Sequence, residues 1–174
     1  MSLIIRNLND LRNQYSLLFC DVWGCVHNGI EAFKSAELAL TSFRKSGGIV
    51  VLLTNAPRPA QAVKRQLDRI GLSDDSYDHI VTAGDAALEF IKKNNLGKKI
   101  YHIGPAKDKS FFDTLFSTSG TYGFSLAPLQ KADFIVCTGL FNDQTETPEN
   151  YRSIFTRAKA RKLSMICTNP DMFV

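Results

Sequence analysis

Short apolar runs alternate with amphipathic stretches along most of the chain, and nearly every run ends in a polar or glycine-bearing turn. Residues 16–20 and 48–53 read as buried strands, the first ending at Asp21 and the second at Thr54-Asn55-Ala56-Pro57-Arg58. Between them, Phe33, Ala36, Leu40 and Phe43 recur at helical spacing over residues 33–46, and Gly47-Gly48 stops the pattern. Pro59 opens a second helix with Val63, Leu67 and Ile70 on one face, closed by Gly71. The same reading predicts a strand over 79–82, a helix over 86–94, and a strand over 99–103 broken by Gly104-Pro105. An aromatic-rich helix over 111–116 precedes a Ser/Thr/Gly turn region. A strand over 134–138, a polar loop over 141–148, a helix over 149–162 with Tyr151, Ile154, Phe155 and Ala158 inward, and a strand over 163–167 complete the series. Such βα alternation predicts parallel sheet layered with helices.

Composition narrows the class. With 174 residues, 44% hydrophobic and 22% charged, the chain suits one globular core, or one domain plus part of a second. Its apolar stretches are of strand length, and Leu3-Ile4-Ile5 is too short for the centre of a signal peptide, so a cytoplasmic protein without a membrane partner is expected. The net charge of +4 is scattered: Lys92-Lys93, Lys98-Lys99, Arg157, Lys159, Arg161 and Lys162 fall at predicted helix ends or faces. A nucleic-acid partner calls for a concentrated basic stripe with interleaved aromatics, and none is expected here. Cys20, Cys25, Cys137 and Cys167 form no CxxC pair and read as reduced thiols.

The candidate chemistry sits at two strand ends. A carboxylate at the tip of a buried strand, on a turn loosened by Gly24 and Gly29, is placed to act as nucleophile or metal ligand. Neighbouring parallel strands deliver their C-terminal loops to one crevice, so Asp21 and Thr54 are expected to face one ligand. Other phosphate chemistries fail on spacing. Gly24 and Gly29 give GxxxxG, but Ile30-Glu31 follows where a P-loop needs Lys-Ser/Thr. Val26, Glu31, Asp143 and Phe173 stand where a cysteine phosphatase would place its arginine. Cys20, Cys25 and His27 lack the closed pairs of structural zinc.

Asp21-Val22-Trp23-Gly24, with Gly29 five residues on, and then Leu-Leu-Thr-Asn after the second strand, resemble the first two motifs of the haloacid dehalogenase-like (HAD) superfamily. Together with Cys167-Thr168-Asn169-Pro170-Asp171 they resemble its class IIA branch of nitrophenyl, phosphoglycolate and pyridoxal phosphate phosphatases, and within it a subgroup with tryptophan two residues after the aspartate. The resemblance implies an α/β fold: the N-terminal part of a Rossmann-like core over residues 1–84, with an inserted α/β cap over 85–174. The family's later lysine and acidic motifs would follow Val174, so the chain resembles a half-core plus most of a cap.

By the same resemblance, Asp21 is the nucleophile of a magnesium-dependent phosphatase, forming an aspartyl phosphate, and Mg2+ is held by the Asp21 carboxylate and the Trp23 main-chain carbonyl. Thr54 binds a phosphoryl oxygen, assisted by Asn55; Arg58 is either a further cation for substrate or a solvated helix-start arginine. The family's usual acid at the Trp23 position is missing, and indole cannot shuttle a proton. Trp23 is then either a plug at the strand–turn junction or an aromatic wall for substrate. His27 is the nearby group with a near-neutral pKa, a candidate substrate contact and substitute acid. The expected partner is a small phosphorylated metabolite, because a cap excludes large substrates, and a homo-oligomer is compatible with this. A non-catalytic member that binds a phosphorylated ligand or a protein is the alternative.

Overall fold

The computed structural model describes residues 8–11, 14–117, 123–142 and 144–169. Leu3-Ile4-Ile5, the centre of the Ser/Thr/Gly turn, Asp143 and Pro170-Asp171 lie outside them. Among the described residues, seven strands and five α-helices alternate except between β5 and β6: β1 Leu17–Asp21, α1 Lys34–Lys45, β2 Ile49–Thr54, α2 Ala60–Arg69, β3 His79–Thr82, α3 Ala83–Lys93, β4 Lys99–Ile103, α4 Lys109–Ser117, β5 Ser125–Leu126, β6 Phe134–Cys137, α5 Pro148–Ala160 and β7 Ser164–Cys167. All strand pairs are parallel, as the βα alternation requires. The chain divides into two compact units, Met1–Thr54 with Ala60–Thr82, and Asn55–Pro59 with Ala83–Val174.

The first unit holds a sheet ordered β1-β2-β3. Strands that follow one another in sequence and in space, joined by right-handed crossovers, put both connecting helices on one face. Val50, Leu52 and Leu67 there are 0% exposed, and Leu40, Phe43 and Val63 are also buried. Gly48 fits this packing closely, since a Cβ on it would come 2.2 Å from the Phe43 ring. On the other face the alternation sets Leu17, Phe19, Ile49, Leu53 and Val81, all exposed. Asp78 ties the lower edge together: its carboxylate accepts the Val50 N–H at 2.8 Å and pairs with Arg44 at 2.6 Å.

The second unit is doubly wound in miniature, ordered β5-β4-β6-β7. Ile100, Phe134 and Val136 on one face pack with Ala87, Leu88 and Ile91 of α3 and Phe111, Phe112 and Leu115 of α4. Ile103 and Ile135 on the other pack with Tyr151 and Ala158 of α5. Pro148 at the start of α5 and Asn150, whose Oδ1 accepts the Thr147 N–H at 2.7 Å, set that helix's entry.

The structure departs from the sequence reading at several points: β1, expected to be buried, has no buried residue, Phe155, expected inward, is 41% exposed, and two elements differ in extent. β5 is too short to show as a hydrophobic run, and only its pairing with Lys99 and Ile100 defines it. α3 begins at Ala83, three residues before its expected start, because Gly84 is not a break. Its N–H donates to the Ala56 carbonyl at 3.1 Å, and a Cβ there would lie 2.6 Å from the Pro57 carbonyl oxygen and 2.7 Å from the Arg58 backbone. Glycine lets the first turn of α3 lie against the backbone of residues 56–58.

Candidate active site

Asp21 is the last residue of β1 and pairs in register with Leu53 of β2, one position before Thr54. Two adjacent parallel strands thus end with the carboxylate and the hydroxyl at neighbouring levels. Thr54 is 8% exposed and pairs on its other side with Thr82, whereas Asp21 is exposed. One Asp21 oxygen, Oδ1, accepts the Val22 N–H at 2.8 Å, which orients the carboxylate at the strand tip.

The turn that follows is built by short-range bonds. Val26 N–H donates to the Val22 carbonyl at 2.9 Å, closing one helical turn, and Gly24, at φ 74°, donates its N–H to the His27 carbonyl at 2.9 Å. Asn28 Oδ1 accepts from both Ile30 and Glu31 N–H at 2.9 Å, so the chain reverses there. Gly29 has φ 90°, and the Trp23 indole lies across it, 2.7 Å from where a Cβ would stand. The glycine spacing of the motif therefore has two local causes: backbone that needs a left-handed residue, and a ring that needs no side chain beneath it.

Trp23 is 63% exposed. It does not plug the strand–turn junction; its ring stands on the surface of the turn, edge-on to His27 at 5.5 Å and 84°. His27 itself is 4% exposed, and its Nδ1 accepts the Gly29 N–H at 2.8 Å. A buried ring with that nitrogen committed to the turn serves the turn's geometry, which the sequence reading of it as a substrate contact and acid did not anticipate. Asn55 and Arg58, the other expected substrate contacts, pack as part of the second unit.

The donors near Asp21 suit a hard cation. Cys20 donates its thiol to the Asp21 carbonyl at 3.2 Å, and burial, with Cys25 and Asp21 adding to it, pushes its pKa up to about 11. At neutral pH that thiol is protonated, so carboxylate and main-chain oxygen are the unprotonated donors at the strand tip. Among the described residues no group of three or more His, Cys, Asp or Glu side chains converges. An ion bound by one carboxylate, a carbonyl, waters and a phosphate is how magnesium is commonly held, and Asp21 with the Trp23 carbonyl fits that donor set.

A second polar network was missed. At the C-terminal ends of β4 and β6, His102 Nε2 lies 2.9 Å from Thr138 Oγ1, and Thr138 also bonds Asp108. Burial lowers the pKa of His102 and raises that of Asp108, the latter opposed by Thr138, Lys107 and Arg58. Gly104 makes room, since a Cβ on it would stand 2.0 Å from Thr138 Oγ1. Gly104-Pro105 after one predicted strand, and Thr138-Gly139 at the end of another, were the available signal.

The parallel first sheet, with a carboxylate and a hydroxyl at adjacent strand ends, is Rossmann-like. The haloacid dehalogenase-like hydrolase family matches residues 18–115, and the chain belongs to that family. A haloacid dehalogenase-like hydrolase from Brucella suis 1330 is 37% identical, aligned over 98% of this chain and 62% of its own, with a TM-score of 0.84. The 4-nitrophenylphosphatase of Thermotoga maritima is 23% identical over 93% of this chain and 57% of its own, TM-score 0.64. A glycerol phosphate phosphatase from Mycobacterium tuberculosis, solved with calcium, is 17% identical over 92% of this chain and 45% of its own, TM-score 0.61. The last two share the fold, and the chain spans less than two thirds of each of the three. Comparison with curated proteins gives no match. No helix among the described residues is long and apolar enough to cross a membrane.

Proposed function

We propose that the chain carries the nucleophile of a magnesium-dependent phosphatase acting on a small phosphorylated metabolite in the cytoplasm. The observation that carries this reading is the register of Asp21 beside Leu53, which sets the carboxylate one level from the Thr54 hydroxyl on the neighbouring strand. The phosphatases among the similar folds, one of them named for glycerol phosphate and solved with calcium, support a phosphate monoester and a divalent ion.

Asp21 attacks phosphorus, forming an O–P bond as the ester oxygen leaves, and water later opens the aspartyl phosphate. Thr54 donates its hydroxyl to a phosphoryl oxygen. A magnesium ion on Asp21 and the Trp23 carbonyl would supply charge neutralisation for the transferring group. Trp23, exposed beside the nucleophile, forms a wall for the leaving group, and its occurrence two residues after the aspartate supports a place in the tryptophan-bearing subgroup of the class IIA phosphatases.

A second reading follows from the same tryptophan. Indole donates a hydrogen bond but neither gives up nor takes a proton as an acid or base near neutral pH, so the usual acid–base step has no owner at that position. A protein that binds a phosphorylated ligand without turning it over accounts for that.

Phosphate release by the full-length protein, with a panel of sugar, nucleotide and cofactor phosphates, separates the two. Hydrolysis lost on chelation of divalent ions and in Asp21→Asn, with Tm unchanged, is the expected result. Asn keeps the acceptor for Val22 N–H and cannot attack phosphorus. Turnover retained within a few-fold in Asp21→Asn would overturn the nucleophile assignment, and binding without turnover of any ester would favour the second reading.

A further inference from the structure

Cys137 and Cys167, the last residues of β6 and β7, are register partners on adjacent parallel strands. Partners in a parallel ladder point to the same face and their strands lie about 4.8 Å apart, inside the range of roughly 4.4–6.8 Å between the Cα atoms of a disulfide. Both strands end alike. Each thiol donates to the carbonyl two residues on, Cys137 to Gly139 at 3.6 Å and Cys167 to Asn169 at 3.2 Å. Thr168 locks the alignment, giving its N–H at 2.9 Å and its hydroxyl at 3.2 Å to the Cys137 carbonyl. Cys167 is exposed and Cys137 is half-buried beside the α5 cluster, so one thiol meets solvent while the other waits behind it.

From this juxtaposition we propose that Cys137 and Cys167 are a site of reversible oxidation, closed to an intramolecular disulfide by exchange with a small disulfide of the glutathione class. In the first step the Cys167 thiolate attacks one sulfur of the small disulfide, an S–S bond forms to Cys167, and one small thiol departs. In the second the Cys137 thiolate attacks the Cys167 sulfur, the protein disulfide forms, and the second small thiol departs. Two protein thiols are oxidised, one small disulfide is reduced to two thiols, and no other electron acceptor takes part. Because both residues end their strands, the small approach that the Cβ atoms need falls where the ladder stops rather than in its middle. Burial, and then the neighbouring Cys167, push the Cys137 thiol up, with the Gly139 carbonyl opposing them, but the second step is intramolecular, so the mixed disulfide on Cys167 does not accumulate.

The test is peptide mapping of the full-length protein after incubation with oxidised glutathione under native conditions and alkylation of the remaining thiols. Trypsin separates the two cysteines, because Arg152, Arg157 and Lys162 lie between them. A cross-linked pair of peptides bearing Cys137 and Cys167, abolished by dithiothreitol and formed about tenfold faster per unit of pH near neutrality, is expected. Cys137→Ser should hold glutathione on Cys167, which the unaltered protein does not accumulate, and Cys167→Ser should leave Cys137 alkylated. Both cysteines recovered as alkylated thiols from the unaltered protein, or stable glutathione on its Cys167, would overturn the proposal. None of these outcomes depends on phosphatase activity.

Discussion

Asp21 pairs with Leu53, and Thr54 therefore stands one residue past the carboxylate with its side chain on the opposite, buried face of the sheet. The two groups differ in solvation as a result. Asp21 is exposed at the strand tip, whereas Thr54 is 8% exposed.

Thr54→Val follows from that burial. Valine keeps the β-branched shape, so the sheet should persist, with Tm lowered by the loss of one hydrogen bond, about 0.5–1.5 kcal/mol. For the proposed phosphate release, KM should rise more than kcat falls, and Thr54→Ser should restore it. Steady-state kinetics decide; identical KM and kcat in Thr54→Val would make the residue purely structural.

Trp23→Asp inserts the carboxylate that the family's pattern would place there. Since the indole is 63% exposed, its removal should cost little stability. A hydrolase limited by its missing acid should then gain turnover on poor leaving groups, by up to about 10²–10⁴-fold. An indole that is a substrate wall predicts the reverse, lower kcat with higher KM, and a comparison of nitrophenyl with alkyl phosphates distinguishes them.

Gly84→Ala should displace the backbone of residues 56–58, because its Cβ would fall 2.6–2.7 Å from the Pro57 oxygen and the Arg58 carbonyl. Overpacking of this kind costs about 1–3 kcal/mol. Thermal denaturation should show the loss, and amide exchange of the segment Asn55–Pro59 should quicken. Unchanged stability and exchange would mean that α3 can shift to make room.

Asp78 supplies a pH dependence. Arg44 beside it, and then the Val50 N–H, hold its carboxyl below the usual carboxylate range. A carboxylate with a depressed folded pKa contributes fully above its unfolded value, near 3.9, and loses that contribution as the pH falls through the folded value. Asp78→Asn should therefore be less stable at neutral pH, by about 1 kcal/mol at a partly solvated pair. Urea melts should show the gap between the two proteins closing below about pH 4. A gap that persists at low pH would assign the effect to shape, not charge.

Much of the fold was legible along the chain because its causes are local. Apolar period, Pro59 before α2 and the glycines after α1 and α2 act within a few residues of themselves, so element order and the strand ends at Asp21 and Thr54 follow from them. The motif glycines belong here too: Gly24 and Gly29 sit at positive φ, and their turn closes through bonds spanning a few residues. Tertiary structure alone decided what depends on partners distant in sequence. Register made Leu53 the neighbour of Asp21, packing drew Asn55–Pro59 into the second unit against Gly84, and the β6–β7 ladder brought together Cys137 and Cys167, which sequence spacing left as unrelated thiols. Exposure was also decided there, since composition cannot say that Trp23 stands on the surface while His27 turns inward. A residue's local conformation is set by its own sterics and nearest neighbours, whereas its solvent and its cross-strand partner are set by where the rest of the chain folds.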